Sequence, residues 1–363
     1  MKKILLPALL AATLFTACKK DHDDSNANFN ATKDAAISDF VNKVALAGYA
    51  ELKVKANTLN TAVITLNTTT TDANLDAART AWRDLRTTWE RSEGFIFGPV
   101  EDNEYDPDTD TWPVDFVSLD ALLADMSHDL SVADIHALSN RALKGYHPLE
   151  YVLWGEGGTR TAASLTDRQK TYMVSLAALL KQTADNLYND WDAAGGNYAN
   201  DFLTAGASGN VVYPTKQAAF NDIVGGLIGI CGEVGGGKML EPFDIWPNDP
   251  VLAVNSVESP FSGNSVTDFK NNIIGAYNVY LGKFNTDGVG LEDLVKAKNS
   301  ALDIEIQEKF NAAIQSFDAI TLPYEGAINS QRIQCKSTMD AITALATTLE
   351  EKLQPFVVTY ITD

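Results

Sequence analysis

The stretch KGYHPLEYVLWGE, residues 144–156, places a histidine and a glutamate at a spacing that suits metal binding. On a helix, residues three apart share one face, so His147 and Glu150 can point at a common centre. A neutral imidazole and a carboxylate are suitable ligands for Zn, Fe, Mn or Cu. Two ligands do not complete a site, and the spacing alone favours a polar helix start. In that interpretation Gly145 ends one helix and Pro148 is the first residue of the next.

Several better-known site patterns are absent from the sequence. No His-Glu-x-x-His occurs, and the one pair related to the Glu-x-x-His of di-iron bundles has the reverse order. The acidic stretch EDNEYDPDTDTWPVD resembles the start of a calcium loop, but Thr111 replaces the required glycine and Val117 the final glutamate. A glycine-rich stretch ends in Lys238 followed by Met239, which excludes a phosphate-binding loop. The acidic stretch is therefore interpreted as a solvated loop.

Helical periodicity extends over most of the chain, because apolar residues recur at three- and four-residue steps. In LDAARTAWRDLRTTWERSEGF one face is apolar, and the other carries charged residues that include Arg86 and Glu90. These two are four apart and can form a surface ion pair worth about 0.3 kcal/mol. Further long helices are predicted at about 166–192 and 291–317.

The predicted fold is all-α, with two packed helical-bundle halves and a cleft between them. Periodicity lapses over 197–216, where Gly, Ser, Asn and Pro gather, so the halves are assigned to 34–200 and 210–363. The loops DTWPVD and DIWPND share the pattern Trp-Pro-x-Asp. This similarity indicates that the halves could be copies of one four-helix-bundle-like unit.

The beginning of the chain has the form of an export signal. MKK is basic, the apolar ILLPALLAATLF is too short to span a bilayer, and LFTAC resembles a bacterial lipobox. Residues 1–17 are therefore predicted to be a lipoprotein signal peptide, Cys18 to carry the lipid anchor, and 18–33 to form a flexible tether. Beyond the leader we expect no apolar run near 18 residues long. The predicted location is the cell envelope, at the outer membrane, facing either the periplasm or the medium.

The net charge of −20 argues against binding to nucleic acid and against adsorption to anionic lipid. Contact with the membrane is therefore expected through the anchor at Cys18 alone. The other cysteines, Cys231 and Cys335, are too few for a disulfide scaffold; they either form one disulfide or remain buried thiols.

Five segments together resemble the imelysin family of bacterial envelope proteins. GYHPLEYVLWG at 145–155 matches the family's Gly-x-His-x-x-Glu signature and its Trp-Gly tail. The other matching segments are ARTAW at 78–82, EGFIFGP at 93–99, WPVD at 112–115 and ESPFSGNSVTD at 258–268. Their order and spacing agree with the family over nearly the whole chain, from about residue 35 to residue 355.

The resemblance implies a site in the cleft, built from both halves. The metal ligands that it implies are His147, Glu150, Glu93 and Asp115. The other cleft residues that it implies are Arg86, Trp112, Ser262, Asn264, Asp268 and Glu258. Several relatives carry a histidine in the second-half segment, whereas residues 258–268 contain none. The ligand sphere is therefore expected to be rich in oxygen, which suits a hard cation or a chelated ligand.

Three functions remain as alternatives. The family is linked to iron uptake, so the first is an envelope lipoprotein that binds iron, another divalent metal or an iron chelate, alongside other iron-transport components of the envelope. The second is a metallopeptidase, a label that the family carries, although the sequence offers no recognisable set of activated water, base and oxyanion stabiliser. The third is a surface interaction module whose cleft holds a hydrogen-bond network and no metal.

Overall fold

The computed structural model describes residues 20–362, and every regular element in this range is helical. The predicted signal peptide and Cys18 lie outside the described residues. The all-α prediction is confirmed. The α-helices are α1 Lys20–Asp39, α2 Leu46–Thr68, α3 Asp72–Glu90, α4 Pro99–Asp102, α5 Tyr105–Thr109, α6 Phe116–Ala124, α7 Val132–His136, α8 Tyr146–Trp154, α9 Asp167–Trp191, α10 Ala199–Leu203, α11 Lys216–Glu233, α12 Leu240–Ile245, α13 Pro250–Asn255, α14 Ser265–Tyr280, α15 Leu291–Lys298, α16 Ser300–Ser316, α17 Tyr324–Ser330, α18 Arg332–Thr348 and α19 Gln354–Tyr360.

The first half is built around α2, α3 and α9, with α2 packed against both of the others. Thr71 begins α3 by accepting a hydrogen bond from the N–H of Asn74, and Thr166 forms a capping box with Gln169 at the start of α9. Such caps satisfy backbone N–H groups that have no partner within the helix. The largest buried side chains of this half are Trp82, Trp89 and Trp191.

The second half is built around α11, α14, α16 and α18. The single helix predicted at 291–317 is divided at Asn299, whose side chain accepts a hydrogen bond from the N–H of Leu302 and starts α16. Cys231 and Cys335 are both buried free thiols, so the disulfide alternative does not hold.

The aspartate of each Trp-Pro-x-Asp loop caps the start of the helix that follows it. Asp115 accepts a hydrogen bond from the N–H of Ser118 and caps α6, and Asp249 accepts one from the N–H of Leu252 and caps α13. A shared capping role explains why the pattern occurs twice. Internal duplication of the halves stays a prediction.

The halves meet where α3 and the 3₁₀ turn Glu93–Phe95 contact α11 and α14. Two glycines of the second half permit this approach: a Cβ at Gly226 would lie 2.2 Å from the carbonyl oxygen of Gly94, and a Cβ at Gly275 would lie 2.4 Å from that of Arg91. Only glycine fits at such a backbone contact. The chain around Glu93 is therefore held directly between the halves.

Residues 20–33 differ from the predicted flexible tether. They form the first part of α1, and Phe29 and Lys33 are buried. Phe29 packs beside α15, where the ammonium of Lys298 lies 4.3 Å from the centre of its ring. A buried aromatic ring and a cation at its face stabilise an ordered helix in a stretch whose composition is otherwise polar.

The segment Lys216–Ile245 is long and apolar enough to cross a membrane by length and composition, which corrects the expectation that no such run follows the leader. Half of its most apolar window is buried inside the fold. Phe220, Ile223 and Leu227 of this segment belong to the hydrophobic core. These are the properties of a core helix, and Gly226 of this segment permits its close contact with the backbone of Gly94.

Candidate metal centre between the two halves

Arg86 lies at the centre of the junction and is fully buried. On α3 it forms an ion pair with Glu90, four residues later. Its guanidinium forms a second ion pair with Asp110, and it lies 3.2 Å from Glu258 Oε1 and 3.8 Å from Asp268 Oδ2. One side chain of the first half therefore contacts acidic groups of both halves.

The burial of Arg86 and Glu90 corrects the expectation of a surface ion pair. Both side chains are inaccessible because α14 packs on this face of α3. Asn272 of α14 donates a hydrogen bond to Glu90 Oε2 at 2.6 Å. A pair removed from water in this way depends on its remaining hydrogen bonds, since desolvation opposes its own attraction.

Asp110 joins Arg86 to the signature histidine. Its Oδ1 lies 2.9 Å from His147 Nε2, and its Oδ2 accepts a hydrogen bond from the indole of Trp89 at 2.6 Å. Burial by itself would raise the pKa of the Asp110 carboxyl, but Arg86 and then His147 hold that pKa well below its usual range. Asp110 is therefore ionised at every pH at which the protein is expected to work.

His147 and Glu150 share one face of α8, as their spacing predicts. Glu150 Oε2 lies 3.5 Å from His147 Nδ1, while Oε1 accepts hydrogen bonds from the backbone N–H of Ser262 at 2.7 Å and from its hydroxyl at 2.6 Å. Burial would lower the pKa of His147, but its hydrogen bonds to Asp110 and Glu150 outweigh this effect and raise the pKa to about 9. The signature pair thus links the two halves and carries a protonated imidazole at neutral pH.

The local start of α8 differs from the capping arrangement expected from the sequence. Gly145 occupies the N-cap position rather than ending a preceding helix, and Tyr146 is the first helical residue. Pro148 therefore lies third in the helix, where an N–H would still lack a partner within the helix. Its ring is tolerated without a kink beside His147.

Lys238 is the second buried cation of the junction. Its ammonium lies 2.9 Å from Glu93 Oε2 and 2.9 Å from Glu258 Oε1, and 5.3 Å from the centre of the Trp112 ring. Asn272 donates to the same oxygen of Glu93 at 2.5 Å. A lysine of the second half therefore crosses the interface to an acid of the first.

Asp268 completes the polar junction from α14. Its Oδ2 accepts a hydrogen bond from the hydroxyl of Ser259 at 2.7 Å, and its Oδ1 accepts one from the side-chain amide of Asn264 at 2.6 Å. Ser259 and Asn264 belong to the segment ESPFSGNSVTD, which also supplies Glu258 and Ser262. This segment therefore faces the signature helix, as the resemblance implies.

The buried acidic and basic groups at the junction are unequal in number. Six carboxyl groups face three basic groups: Glu90, Glu93, Asp110, Glu150, Glu258 and Asp268 against Arg86, His147 and Lys238. Burial raises the pKa of Glu90 to about 8 and that of Asp268 to about 6, despite the attraction of Arg86, and raises the pKa of Glu93 well above its ordinary value. Carboxyl groups that retain protons in this way can release them to an added cation.

Two groups of three residues bring potential ligand atoms within 4.8 Å of one another: Asp110, His147 and Glu258, and Glu90, Glu93 and Asp110. Glu258 Oε2 is buried and has no hydrogen-bond partner in the described part of the chain. An unpaired buried carboxylate oxygen costs free energy, which a cation bound beside it would recover. The donor atoms are mostly carboxylate oxygens with one imidazole nitrogen, so the residues present fit a relatively hard metal ion.

Two surface openings reach the junction. A narrow crevice lined by Pro113, Phe116 and Phe261 leads to His147 and Glu258. The aromatic rings of Phe116, Tyr151 and Phe261 pack edge to face at its rim. On another side, a groove along α11 ends at Glu93. At 1% exposure, His147 is out of reach of an extended peptide.

The family model for imelysin, designated peptidase M75, matches residues 45–356 of this chain. The chain belongs to the imelysin family. The resemblance carried by the signature segments is thereby confirmed. The imelysin match covers both halves and all the residues of the buried junction.

Known relatives agree with this membership. The chain is 32% identical to "Iron-regulated protein A" of Synechococcus elongatus over 355 residues, which cover 95% of this chain and 91% of the relative. It also resembles the crystal structure of an iron-regulated protein A precursor from Parabacteroides distasonis, with a TM-score of 0.81 at 24% identity over 92% of this chain and 95% of that chain. An imelysin-like protein from Psychrobacter arcticum gives a TM-score of 0.73 at 13% identity over 92% and 98% of the two chains. These two structures support the imelysin fold.

Most of the site residues implied by the imelysin resemblance meet at the junction. They are Arg86, Glu93, Trp112, His147, Glu150, Glu258, Ser262, Asn264 and Asp268. Asp115 does not: it caps α6 and accepts a hydrogen bond from the side-chain amide of Asn140. It belongs to neither group of potential ligands, and the acid that does is Asp110. Glu150, also absent from both groups, holds His147 and Ser262 instead.

Sequence reasoning missed three residues of the imelysin junction: Glu90, Asp110 and Lys238. Glu90 was assigned to a surface pair, Asp110 to the solvated acidic loop, and Lys238 to a failed phosphate-loop pattern. Only Glu90 could have been found from the sequence, because its four-residue spacing from Arg86 predicts the ion pair that the two residues form. Asp110 and Lys238 reach the site through contacts with residues far away in the chain, which no local pattern reveals.

Proposed function

We propose that this imelysin-family protein serves bacterial iron acquisition by binding a metal ion, or an iron-bearing chelate, at the buried junction of its two halves. The observation that carries the proposal is the excess of buried carboxyl groups over basic groups, with Glu258 Oε2 left without a hydrogen-bond partner in the described residues. A relative named for its regulation by iron supports iron as the metal concerned.

The chemistry of the junction favours a multivalent cation. Carboxylate oxygens dominate the donor set, and His147 Nε2 becomes a ligand only after the imidazole loses its proton. Metal binding should therefore release protons and weaken as the pH falls. Arg86, which contacts Glu90, Asp110 and Glu258, would orient these carboxyl groups.

Replacement of His147 tests the proposal directly. We expect chelator-stripped protein to bind Fe²⁺ without oxygen, or Mn²⁺ as a redox-stable probe, in isothermal titration. His147→Ala should weaken this binding by about tenfold or more. His147→Gln, which keeps a polar side chain, separates loss of the ligand from loss of packing. Absence of binding in the unmodified protein, or binding in both variants as tight as in the unmodified protein, contradicts the proposal.

Asp115 supplies the matched control. Asp115→Ala removes the cap of α6 and should cost about 1 kcal/mol of unfolding free energy. Because Asp115 belongs to neither group of potential ligands, the affinity for the metal should stay unchanged. A loss of affinity equal to that of His147→Ala would return Asp115 to the ligand set.

No observation favours peptidase chemistry at this junction. Hydrolysis of a peptide requires an activated water and a base in reach of the scissile bond. His147 is protonated at neutral pH, Glu150 is engaged by Ser262, and both are buried. A pure interaction module would leave the excess of buried acids and the unpartnered Glu258 oxygen without a role.

We also propose that the protein is held at the cell envelope by a lipid on Cys18, where it would meet other envelope components of iron transport. The support is the lipobox-like LFTAC sequence and its apolar leader. Cells grown with a labelled fatty acid should incorporate the label into the protein, and Cys18→Ser should abolish it. Labelling that persists in the serine variant contradicts an anchor at this residue.

A further inference from the structure

Lys238 ends an unusual piece of chain. It follows α11 in the π-helical turn Val234–Lys238, whose sequence is VGGGK. A π-helical turn inserted in a helix is a feature found often at functional sites. Side chains added at Gly236 and Gly237 would meet no atom within 4 Å, so no packed neighbour on that side opposes movement of this turn.

The ammonium of Lys238 touches both groups of potential metal ligands. Glu93 belongs to one group and Glu258 to the other, and each carboxylate oxygen lies 2.9 Å from Nζ. A metal ion in either group would lie next to this positive charge, and like charges at such separations repel strongly inside a protein. The ammonium and the metal ion therefore cannot both be favoured in these positions.

We propose that Lys238 is a resident cation that occupies the junction in the metal-free protein and is displaced when a metal ion binds. This inference rests on the proposed metal-binding function and specifies how that site selects its ion. Lys238 pairs with Glu93 and Glu258 while the site is empty, and its departure leaves both carboxyl groups to the metal.

An alternative position for the displaced side chain already exists. Glu233 Oε1 lies 3.9 Å from Lys238 Nζ and borders the groove along α11. That groove also carries Glu101 and Asp222, and its floor is bare at Gly225 and Gly229, where an added Cβ would meet nothing within 4 Å. Glu233 therefore offers the displaced ammonium an acidic partner at the edge of the groove.

Displacement makes the site selective for charge. A monovalent ion brings no more charge than the ammonium it must replace, and it lacks the three N–H donors of lysine. A divalent or trivalent ion gains more from the excess carboxylates than the ammonium loses. Lys238 is thus a specificity-determining residue that excludes Na⁺ and K⁺ from the junction.

Amine labelling of the unmodified protein tests the displacement. Brief treatment with an acetylating reagent, followed by mass spectrometry, should leave Lys238 largely unlabelled without metal, since it is buried at 2% exposure. Saturating Mn²⁺ should raise its labelling severalfold, whereas 100-fold more K⁺ should not. Lys144 is the matched control, because it is buried and its Nζ lies 3.1 Å from Asp108 Oδ1, and neither residue belongs to the groups of potential ligands. Its labelling should not change. Protection of Lys238 that persists in saturating metal overturns the proposal.

The affinity of Lys238→Met separates this inference from the proposed function. The variant should bind Mn²⁺ on the order of tenfold tighter or more, because the competing charge is gone, and its melting temperature should rise more on metal addition than that of the unmodified protein. If the unmodified protein binds metal and the variant binds no tighter, displacement is wrong and the metal site stands. If neither binds, both proposals fall. A variant that folds only with metal supports displacement, and if it does not fold at all the labelling result decides.

Discussion

Arg86→Met should lower the free energy of unfolding by about 3–5 kcal/mol, the cost of removing one partner from a buried ion-pair network. The reason is the number of charges that depend on this side chain. Glu90, Asp110 and Glu258 each form an ion pair with its guanidinium, and all are buried. Without it they must either remain charged and uncompensated or take up protons, and both outcomes destabilise the folded state.

Arg83→Met is the matched control for this experiment. Arg83 lies one turn earlier on α3 and also reaches the second half, where it donates a hydrogen bond to the carbonyl oxygen of Ser262 at 2.9 Å. Its side chain is exposed, so its loss should cost no more than about 1 kcal/mol. Urea unfolding followed by circular dichroism compares the two variants. Similar costs would mean that the buried network contributes little to stability.

Arg86→Lys refines the same prediction. Lysine keeps the charge but has a single compact ammonium in place of the planar fork that contacts several acids at once. We therefore expect a stability between that of the unmodified protein and that of Arg86→Met. A lysine variant as unstable as the methionine variant would show that the geometry of the fork, and not its charge, holds the acids together.

The stability of the protein should fall as the pH rises from about 5 to 9, by about 4 kcal/mol for Glu90 alone. Burial raises the pKa of Glu90 from 4.5 to about 8, so the folded state holds this proton more tightly than the unfolded chain does. A group of this kind contributes stability that is fully present below pH 4.5 and is lost as the pH rises through 8. His147, raised from 6.5 to about 9, adds a loss in the same direction over a higher range.

Glu90→Gln isolates the contribution of Glu90. Glutamine resembles the protonated carboxyl and does not titrate, so the variant should match the unmodified protein near pH 5. Above pH 8 it should be the more stable of the two, because it never buries the extra negative charge. Thermal melts between pH 5 and 9 measure the difference. Curves that stay parallel across this range would contradict a raised pKa at Glu90.

Asp110 affects the stability of the protein at low pH. Its folded-state pKa lies below the unfolded value of 3.8, so its contribution is present above that value and is lost as the pH falls. Together with the alkaline losses of Glu90 and His147, this places the greatest stability in mildly acidic solution. The pH of greatest stability is therefore set by the buried junction, because Asp110, Glu90 and His147 all belong to it.

The helices were predictable because their signals are local. Apolar residues three and four apart, Thr71 before α3 and Thr166 before α9 require only neighbouring residues to have their effect. The same holds for His147 and Glu150, whose spacing alone places them on one face of α8. The order and spacing of the five family segments then predicted which other residues face each other across the junction.

Burial of the polar residues was not predictable from local sequence. Arg86 and Glu90 have the spacing of an ordinary surface pair, and only the packing of α14 on α3 removes them from water. Phe29 shows the same effect on a small scale, because contact with α15 orders a stretch that composition marks as a tether. Whether one face of a helix is exposed depends on which other helices pack against it, and these come from distant parts of the chain.

The amino-acid sequence by itself therefore determined the helical class, the family and the signature pair His147 and Glu150, because these rest on local periodicity and on ordered short segments. The tertiary structure decided what surrounds that pair. It placed Asp110, and not Asp115, beside His147, brought Lys238 across to Glu93, and enclosed more acidic than basic groups in one buried junction. The physical reason is that desolvation and close charge pairing act through space, between residues more than 100 positions apart in the chain, such as Glu93 and Lys238.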